Sequence, residues 1–321
     1  MHIRHNGLGR WIGLFLLLVM GTANAAENKL VGLVFGDYYY IASGAKKKQN
    51  GFEIRRIYLT YDVKWNEAFS GRVRIEANDA GFGSGQKIEP YVKNAYLRYR
   101  KDGRALFMGL SGTPAFAISE GVWGYRTIEK MMMDLNKVVA TTDLGVTFQG
   151  RLDQKGRVNV HMMLANGSGQ NSENDNNKKI YGLMHVKPGA FEATVYADWE
   201  NRTGDTDRIT AAGFLGRSGK RFHGGAEGFV QVRKNLAGNV QVRGLSIFGA
   251  GSVGAHKAFG RVDFFDPNHK AGQDRTYLVM GGADITLAEG LHVMPNVLST
   301  IYQDSRVDAQ VMPRVTVFME F

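Results

Sequence analysis

The chain has 321 residues, with 40 Lys and Arg against 30 Asp and Glu and no cysteine. The lack of cysteine excludes disulfides, thiolate metal sites and a lipid-attachment cysteine. A formal charge of +10 favours anionic partners, and only 6 prolines beside 41 glycines suit a chain built mostly of paired strand, because proline removes a ladder donor.

Residues 1–25 read as a targeting segment. Arg4 and Arg10 flank the start, Trp11 to Met20 form a short apolar run, and Ala23, Asn24 and Ala25 form a small-residue cleavage site. The apolar run has ten residues, whereas a spanning helix needs roughly 20. Cleavage after Ala25 leaves one mature domain, residues 26–321. Without Arg4 and Arg10 it carries 38 basic against 30 acidic residues, or +8. An export signal argues against a nucleic-acid partner. Beyond it, no stretch approaches the ~18 consecutive apolar residues of a membrane helix. If the mature chain crosses a membrane, it does so as a closed barrel, the other structure that satisfies every backbone group in lipid.

From residue 29 onward, segments of period-two alternation are separated by polar turns. Val73, Ile75 and Ala77 share one face, and Arg72, Arg74, Glu76 and Asn78 the other. Val158, Val160, Met162 and Leu164 share a face further on. Phe191, Ala193, Val195, Ala197 and Trp199 alternate with Glu192, Thr194, Tyr196 and Asp198. The pattern predicts sixteen strands, over 29–43, 50–65, 69–79, 90–101, 104–112, 141–153, 156–166, 178–187, 190–200, 207–217, 220–233, 239–250, 256–265, 274–287, 290–302 and 308–321. Short turns alternate with longer loops, and the polar faces are strongly charged. Both traits favour a transmembrane barrel, apolar outside and polar inside, over a soluble sandwich. The last strand points Pro313, Val315, Val317, Met319 and Phe321 outward and Arg314 inward.

Two places break the rhythm. Between Arg55 and Arg56 the alternation changes phase, which predicts a β-bulge that turns both side chains inward. Between the fifth and sixth strands lies a long loop, Thr113 to Ala140, too apolar to be disordered. It holds Phe116, Ile118, Val122, Trp123, Tyr125, Ile128 and Met131 to Met133, which must be buried somewhere. The methionines read as packing against the wall. Asn166 to Lys179 is polar and is expected to be mobile.

Four stretches, in this order, carry a family resemblance: Gly51 to Leu59 with its Arg pair, Val92 to Tyr99, Asp143 to Gly150, and Gly281 to Asp284 followed by Pro295 to Val297. The chain resembles bacterial outer-membrane porins of the phosphate-selective O and P family from about residue 30 to 321. The resemblance implies an all-β antiparallel barrel in the outer membrane, with the third outer loop folded into the lumen, a homotrimer, and a final strand read by the barrel-assembly machinery. It implies passive diffusion of small hydrophilic solutes. A complete arginine ladder or phosphate site does not match residue by residue.

The pore-lining candidates are Arg55, Arg56, Arg72, Arg74, Arg98, Arg100, Arg126, Lys130, Arg233, Arg261 and Arg314. Arginine suits anions because its fork is planar, permanently charged and weakly hydrated, and rings of such charge set selectivity in anion pores. Two readings stand for Arg55 and Arg56: attraction of passing anions, or bracing of the wall through Glu53 or Glu76. Within the loop, Arg126, Lys130 and Lys137 match Glu120, Glu129 and Asp134 in number. That leaves open a field between loop acids and wall bases. Lys46 to Lys48 in the first outer loop suit lipopolysaccharide phosphates or anion recruitment. No cofactor or metal is implied. The alternatives are a non-conducting sleeve for a partner protein and a barrel hydrolase. None of His161, His185, His223, His256, His269 and His292 lies in a catalytic motif.

Overall fold

The structure, a computed structural model, describes residues 27–79 and 81–321. The expected signal peptide, residues 1–25, lies outside them. Among the described residues, sixteen strands close into one antiparallel barrel. They begin with β1 (Glu27–Tyr40), β2 (Asn50–Lys64), β3 (Phe69–Asn78), β4 (Glu89–Lys101), β5 (Arg104–Gly112), β6 (Thr142–Arg151), β7 (Val158–Ala165) and β8 (Lys179–Val186). There follow β9 (Phe191–Glu200), β10 (Arg208–Arg217), β11 (Phe222–Arg233), β12 (Val240–Val253), β13 (His256–Asp266), β14 (Thr276–Ala288), β15 (Leu291–Tyr302) and β16 (Gln310–Glu320). No boundary departs from its sequence expectation by more than three residues. No described helix is long and apolar enough to cross a membrane.

Alternation sets the two faces. On β9, Phe191, Val195 and Trp199 are 54, 63 and 43 % exposed on the outside, while Glu192, Tyr196 and Asp198 are buried inside. A belt of exposed apolar side chains on successive strands is unlike a water-facing surface and suits lipid. A one-residue slip would turn charge into that belt, so the faces fix the register.

The barrel closes where β1 meets β16. The Gly32 amide donates to the Phe321 carbonyl at 2.7 Å, and the Phe321 amide donates back at 2.9 Å. The Phe321 ring covers Gly32 so closely that a Cβ there would lie 2.4 Å from it. The closing aromatic therefore needs a glycine beneath it.

The expected bulge is present at Arg55. Phe35 pairs with Arg56 and Gly36 with Ile54, so Arg55 is the extra residue. Gly36 lies against the bulged backbone, where a Cβ would stand 2.3 Å from the Glu53 carbonyl oxygen. A second bulge lies at Lys93: Arg74 pairs with Asn94, and Ile75 with Val92. No clear phase slip marks it in the sequence, because Val92, Lys93 and Asn94 alternate plausibly in either register.

The long loop folds into the barrel, carrying helices α1 (Ala117–Trp123) and α2 (Met132–Leu135). Trp123, Ile128, Met131 and Met132 have no exposed surface, and Met133 only 2 %. They pack against Phe214, Phe229, Phe248, Phe259, Val242, Met280, Met294 and Leu298 of the wall. Trp123 meets Phe248 edge-on at 5.4 Å, and Tyr125 stacks on Phe259 at 4.4 Å. This corrects the expectation of a polar interior throughout. On β10 to β13, Phe214, Phe229, Phe248 and Phe259 point inward and are at most 5 % exposed. There aromatic side chains join the inner face, because it receives the loop, and buried Glu227, Gln231, Ser246, Arg261 and Asp263 stand among them. The packing stabilises the loop by roughly 1.5–3 kcal/mol for each large side chain fully withdrawn from water, as an upper figure.

The loop expected to be mobile is anchored at its root. Buried Asp143 accepts from the amides of Gly167 and Gly169 at 2.9 and 3.2 Å and from the Tyr181 hydroxyl at 2.6 Å.

Candidate functional site in the lumen

The docked loop leaves two water-accessible spaces inside the barrel. The outer one, roughly 720 Å³, is lined by the far half of the loop and by the outer ends of β2 to β4 and β8 to β10. The inner one, roughly 600 Å³, lies between the start of the loop and the inner ends of β4 to β8.

Arg55 and Arg314 do not stand free in the outer vestibule. Both lie beside the fully buried Asp37 carboxylate, at 2.9 and 3.3 Å. The Asp37 oxygens lack aligned hydrogen-bond donors, so the contact neutralises charge rather than forming directed bonds. The guanidinium N–H groups point instead at the loop: each arginine donates to the Ile128 carbonyl at 2.8 Å, and Arg55 also donates to Thr127. Arg261 belongs to the same class and lines no water-filled space, which corrects its placement as pore-lining. It is sealed beneath the loop, forked onto Asp263 at 2.6 and 2.8 Å, donates to the Lys130 carbonyl at 2.7 Å, and lies over the Trp123 ring. Three wall arginines thus satisfy loop carbonyls that would otherwise be buried without donors.

Arg56 faces the outer vestibule. Its partner is Glu76 at 3.2 Å, which Lys93 also meets at 3.2 Å, and it donates to the Tyr58 hydroxyl at 2.7 Å. Arg56 and Arg74 both lie over the Tyr58 ring, with guanidinium carbons 5.4 and 4.9 Å from its centre. Across from them the loop presents Arg126, clamped by Glu120 at 2.9 Å and Asp134 at 3.1 Å. Glu120 keeps about a third of its side-chain surface exposed but is deeply set. Its pKa is raised by that burial; Arg126 opposes, Asp134 adds, and Arg56 and Lys93 of the wall oppose further. Both sides of the constriction carry both signs, so loop acids are not set against wall bases here. Lys130 lines the outer vestibule, and Arg233 stands at the outer end of β11, donating to Gln231 at 2.6 Å.

Ten basic and six acidic residues line the outer vestibule, but buried Asp37 and Asp198 and loop Glu120 back several of the bases. Its charge is therefore close to balanced.

The inner vestibule is different. Down the wall below Arg74, which donates to Thr60, come Arg72, paired with Asp62 at 2.6 Å, then Arg98, which donates to Ser70, and Arg100. Arg98 and Arg100 are joined there by Arg151, which is not among the sequence candidates; Arg104 borders the space at the strand end, but it pairs with Lys101 and shares the outward face of Leu106 and Met108. Among the described residues no carboxylate lines this space, and none forms an ion pair with Arg98, Arg100 or Arg151. Gly103, in the β4–β5 turn at φ 74°, lets the Arg151 guanidinium lie across it; a Cβ there would be 2.1 Å away.

Two histidines pair with carboxylates, His185 with Glu192 at 3.1 Å and His292 with Asp284 at 2.7 Å. At His292 the Thr286 hydroxyl contacts the same ring nitrogen as the carboxylate. A nucleophile–base–acid relay needs the two on opposite nitrogens. Among the described residues, no group of three metal-ligating side chains converges.

No family model matches the sequence, and no curated protein matches it. The fold matches solved structures over nearly all of its length. An anion-selective porin from Comamonas acidovorans superposes with TM-score 0.69 at 13% identity, covering 92% of this chain and 100% of its own. OmpF of Salmonella typhi, solved with daunomycin, gives TM-score 0.67 at 12% identity over 92% of this chain and 97% of its own. The outer membrane channel DcaP of Acinetobacter baumannii gives TM-score 0.67 at 12% identity over 94% and 99%. The likeness establishes the fold as that of bacterial outer-membrane porins.

Proposed function

We propose that this chain is an outer-membrane porin that passes small hydrophilic solutes by passive diffusion and prefers anions. The observation that carries the preference is the inner vestibule, where Arg98, Arg100 and Arg151 converge without a carboxylate among the described residues. Charge of one sign in a low-dielectric constriction attracts counter-ions and excludes like charge. Arg56, Arg74 and Arg72 extend the basic wall toward the outer vestibule. Arg55, Arg261 and Arg314 serve the pore indirectly, by holding the loop that narrows it. The filled lumen speaks against a sleeve, which needs an open bore.

In this reading residues 1–25 direct export and are removed. The last strand is read by the barrel-assembly machinery, and the exposed Lys46, Lys47 and Lys48 meet lipopolysaccharide phosphates. A homotrimer is the assembly the family resemblance suggests, and the same resemblance makes phosphate an anion to test. The experiment is a reversal-potential measurement in a planar bilayer under a potassium chloride gradient. An anion-selective reversal potential is expected; a cation-selective one refutes the preference, and absence of conductance refutes the channel.

A further inference from the structure

The inner vestibule is one-signed in charge but two-sided in chemistry. Arg100 and Arg151 stand at its rim, beside the β4–β5 and β6–β7 turns. One step deeper the surface turns apolar. Phe107 pairs across the sheet with Arg98, Leu183 pairs with His161, and the start of the docked loop presents Pro114, Ala117 and Ile118. Phe107 and Ala117 face the cavity and not the core around Trp123, while Leu183 and Ile118 lie at the edge of that core and line the cavity as well, although a polar lining would hydrate a water-filled pore equally well.

A compact, strongly hydrated anion does not use such a surface. Phosphate loses water on every side when it enters and needs a donor for each oxygen, so an apolar wall opposes it. A carboxylate on an apolar body uses both halves. Its two oxygens match the guanidinium fork, and its hydrocarbon covers surface that water otherwise wets. Concave sites that are largely apolar with a few convergent polar groups are the usual form for small organic ligands.

We infer that the inner vestibule is a binding site for amphipathic organic anions, monocarboxylates with an aromatic or aliphatic body, held by Arg98, Arg100 and Arg151 at the carboxylate and by Phe107 and Ile118 at the body. This rests on the porin reading and gives it a substrate class. The loop acts here as a specificity element, since Ile118 at its start supplies the apolar contact while its far half faces the outer vestibule.

The test uses the full mature chain in planar bilayers, with chloride current titrated by benzoate, acetate and phosphate in turn. Acetate has the same charged group without the body, and phosphate is the compact alternative. Benzoate is expected to halve the current at about tenfold lower concentration than either, the factor that follows from covering one ring face. Ile118→Ser is expected to bring the benzoate and acetate values together, and the Arg100→Gln, Arg151→Gln double variant to raise the benzoate value about tenfold. Both arginines are exposed, so the double variant leaves the wall's packing in place. Phosphate acting at or below the benzoate concentration overturns the inference, as does an Ile118→Ser channel with an unchanged benzoate-to-acetate ratio. A chain that conducts without preferring benzoate refutes this site alone; a chain that does not conduct refutes the channel as well.

Discussion

Replacing Asp37 by asparagine should release the loop without opening the barrel. The Asp37 carboxylate is wholly buried, with Arg55 at 2.9 Å and Arg314 at 3.3 Å. Both arginines spend their N–H groups on loop carbonyls, so Asp37 is the charge that lets two guanidinium groups sit together in a dry place. Without it they repel each other and stay desolvated. Breaking a buried pair by removing one partner costs about 3–5 kcal/mol. Arg55 is still 16% exposed, so water screens part of the loss and the lower end, about 3 kcal/mol, applies. That is on the order of a hundredfold in the ratio of released to docked loop. Trypsin reads the ratio directly, because Arg126, Lys130 and Lys137 are cleavage sites that the docked loop protects. When reclosing is faster than cutting, the cleavage rate follows the open population. On the folded, detergent-solubilised barrel, the Asp37→Asn loop should be cut about a hundred times faster, with fragments mapping to those three residues. A rate within twofold of the parent would refute the reasoning and assign the docking to apolar packing alone.

Trp123→Ala removes the largest side chain of the docked face and should weaken docking by about 3–5 kcal/mol, seen as faster tryptic cleavage in the same assay while the barrel stays folded. Gly244→Ala places a Cβ 2.6 Å from the Met132 sulfur and from the Phe229 ring, so the same readout should rise, by about 1–3 kcal/mol of docking. Gly32→Ala should lift the Phe321 ring off β1 and lower the temperature at which the folded barrel converts to the unfolded band on a gel, leaving loop cleavage unchanged. The raised pKa of Glu120 means that this carboxyl takes up its proton at higher pH than an ordinary glutamate. As pH falls through that value a negative charge leaves the constriction, so anion selectivity should rise. Reversal potentials across a pH series check it, and Glu120→Gln should flatten the dependence.

The sequence by itself determined the barrel. Period-two alternation is a local property of each segment, and turn residues punctuate it. Sixteen strands, their boundaries, the bulge at Arg55 and the outward face ending at Phe321 were therefore legible from neighbours along the chain. The apolar loop was also legible as something that must be buried. Tertiary structure alone decided what it is buried against. Phe214, Phe229, Phe248 and Phe259 lie on four different strands, and each reads by itself as a break in alternation; only closure of the sheet assembles them into a docking face. The same holds for charge. An arginine on an inward face is equally consistent with a free cation and a braced one, and the difference rests on residues distant in sequence, such as Ile128 against Arg314 or Asp37 against Arg55. So the sequence specified which way the arginines point. The closed barrel decided that Arg55, Arg261 and Arg314 hold the loop, while Arg98, Arg100 and Arg151 face water, because burial and partner distance are set across the lumen and not along the strand.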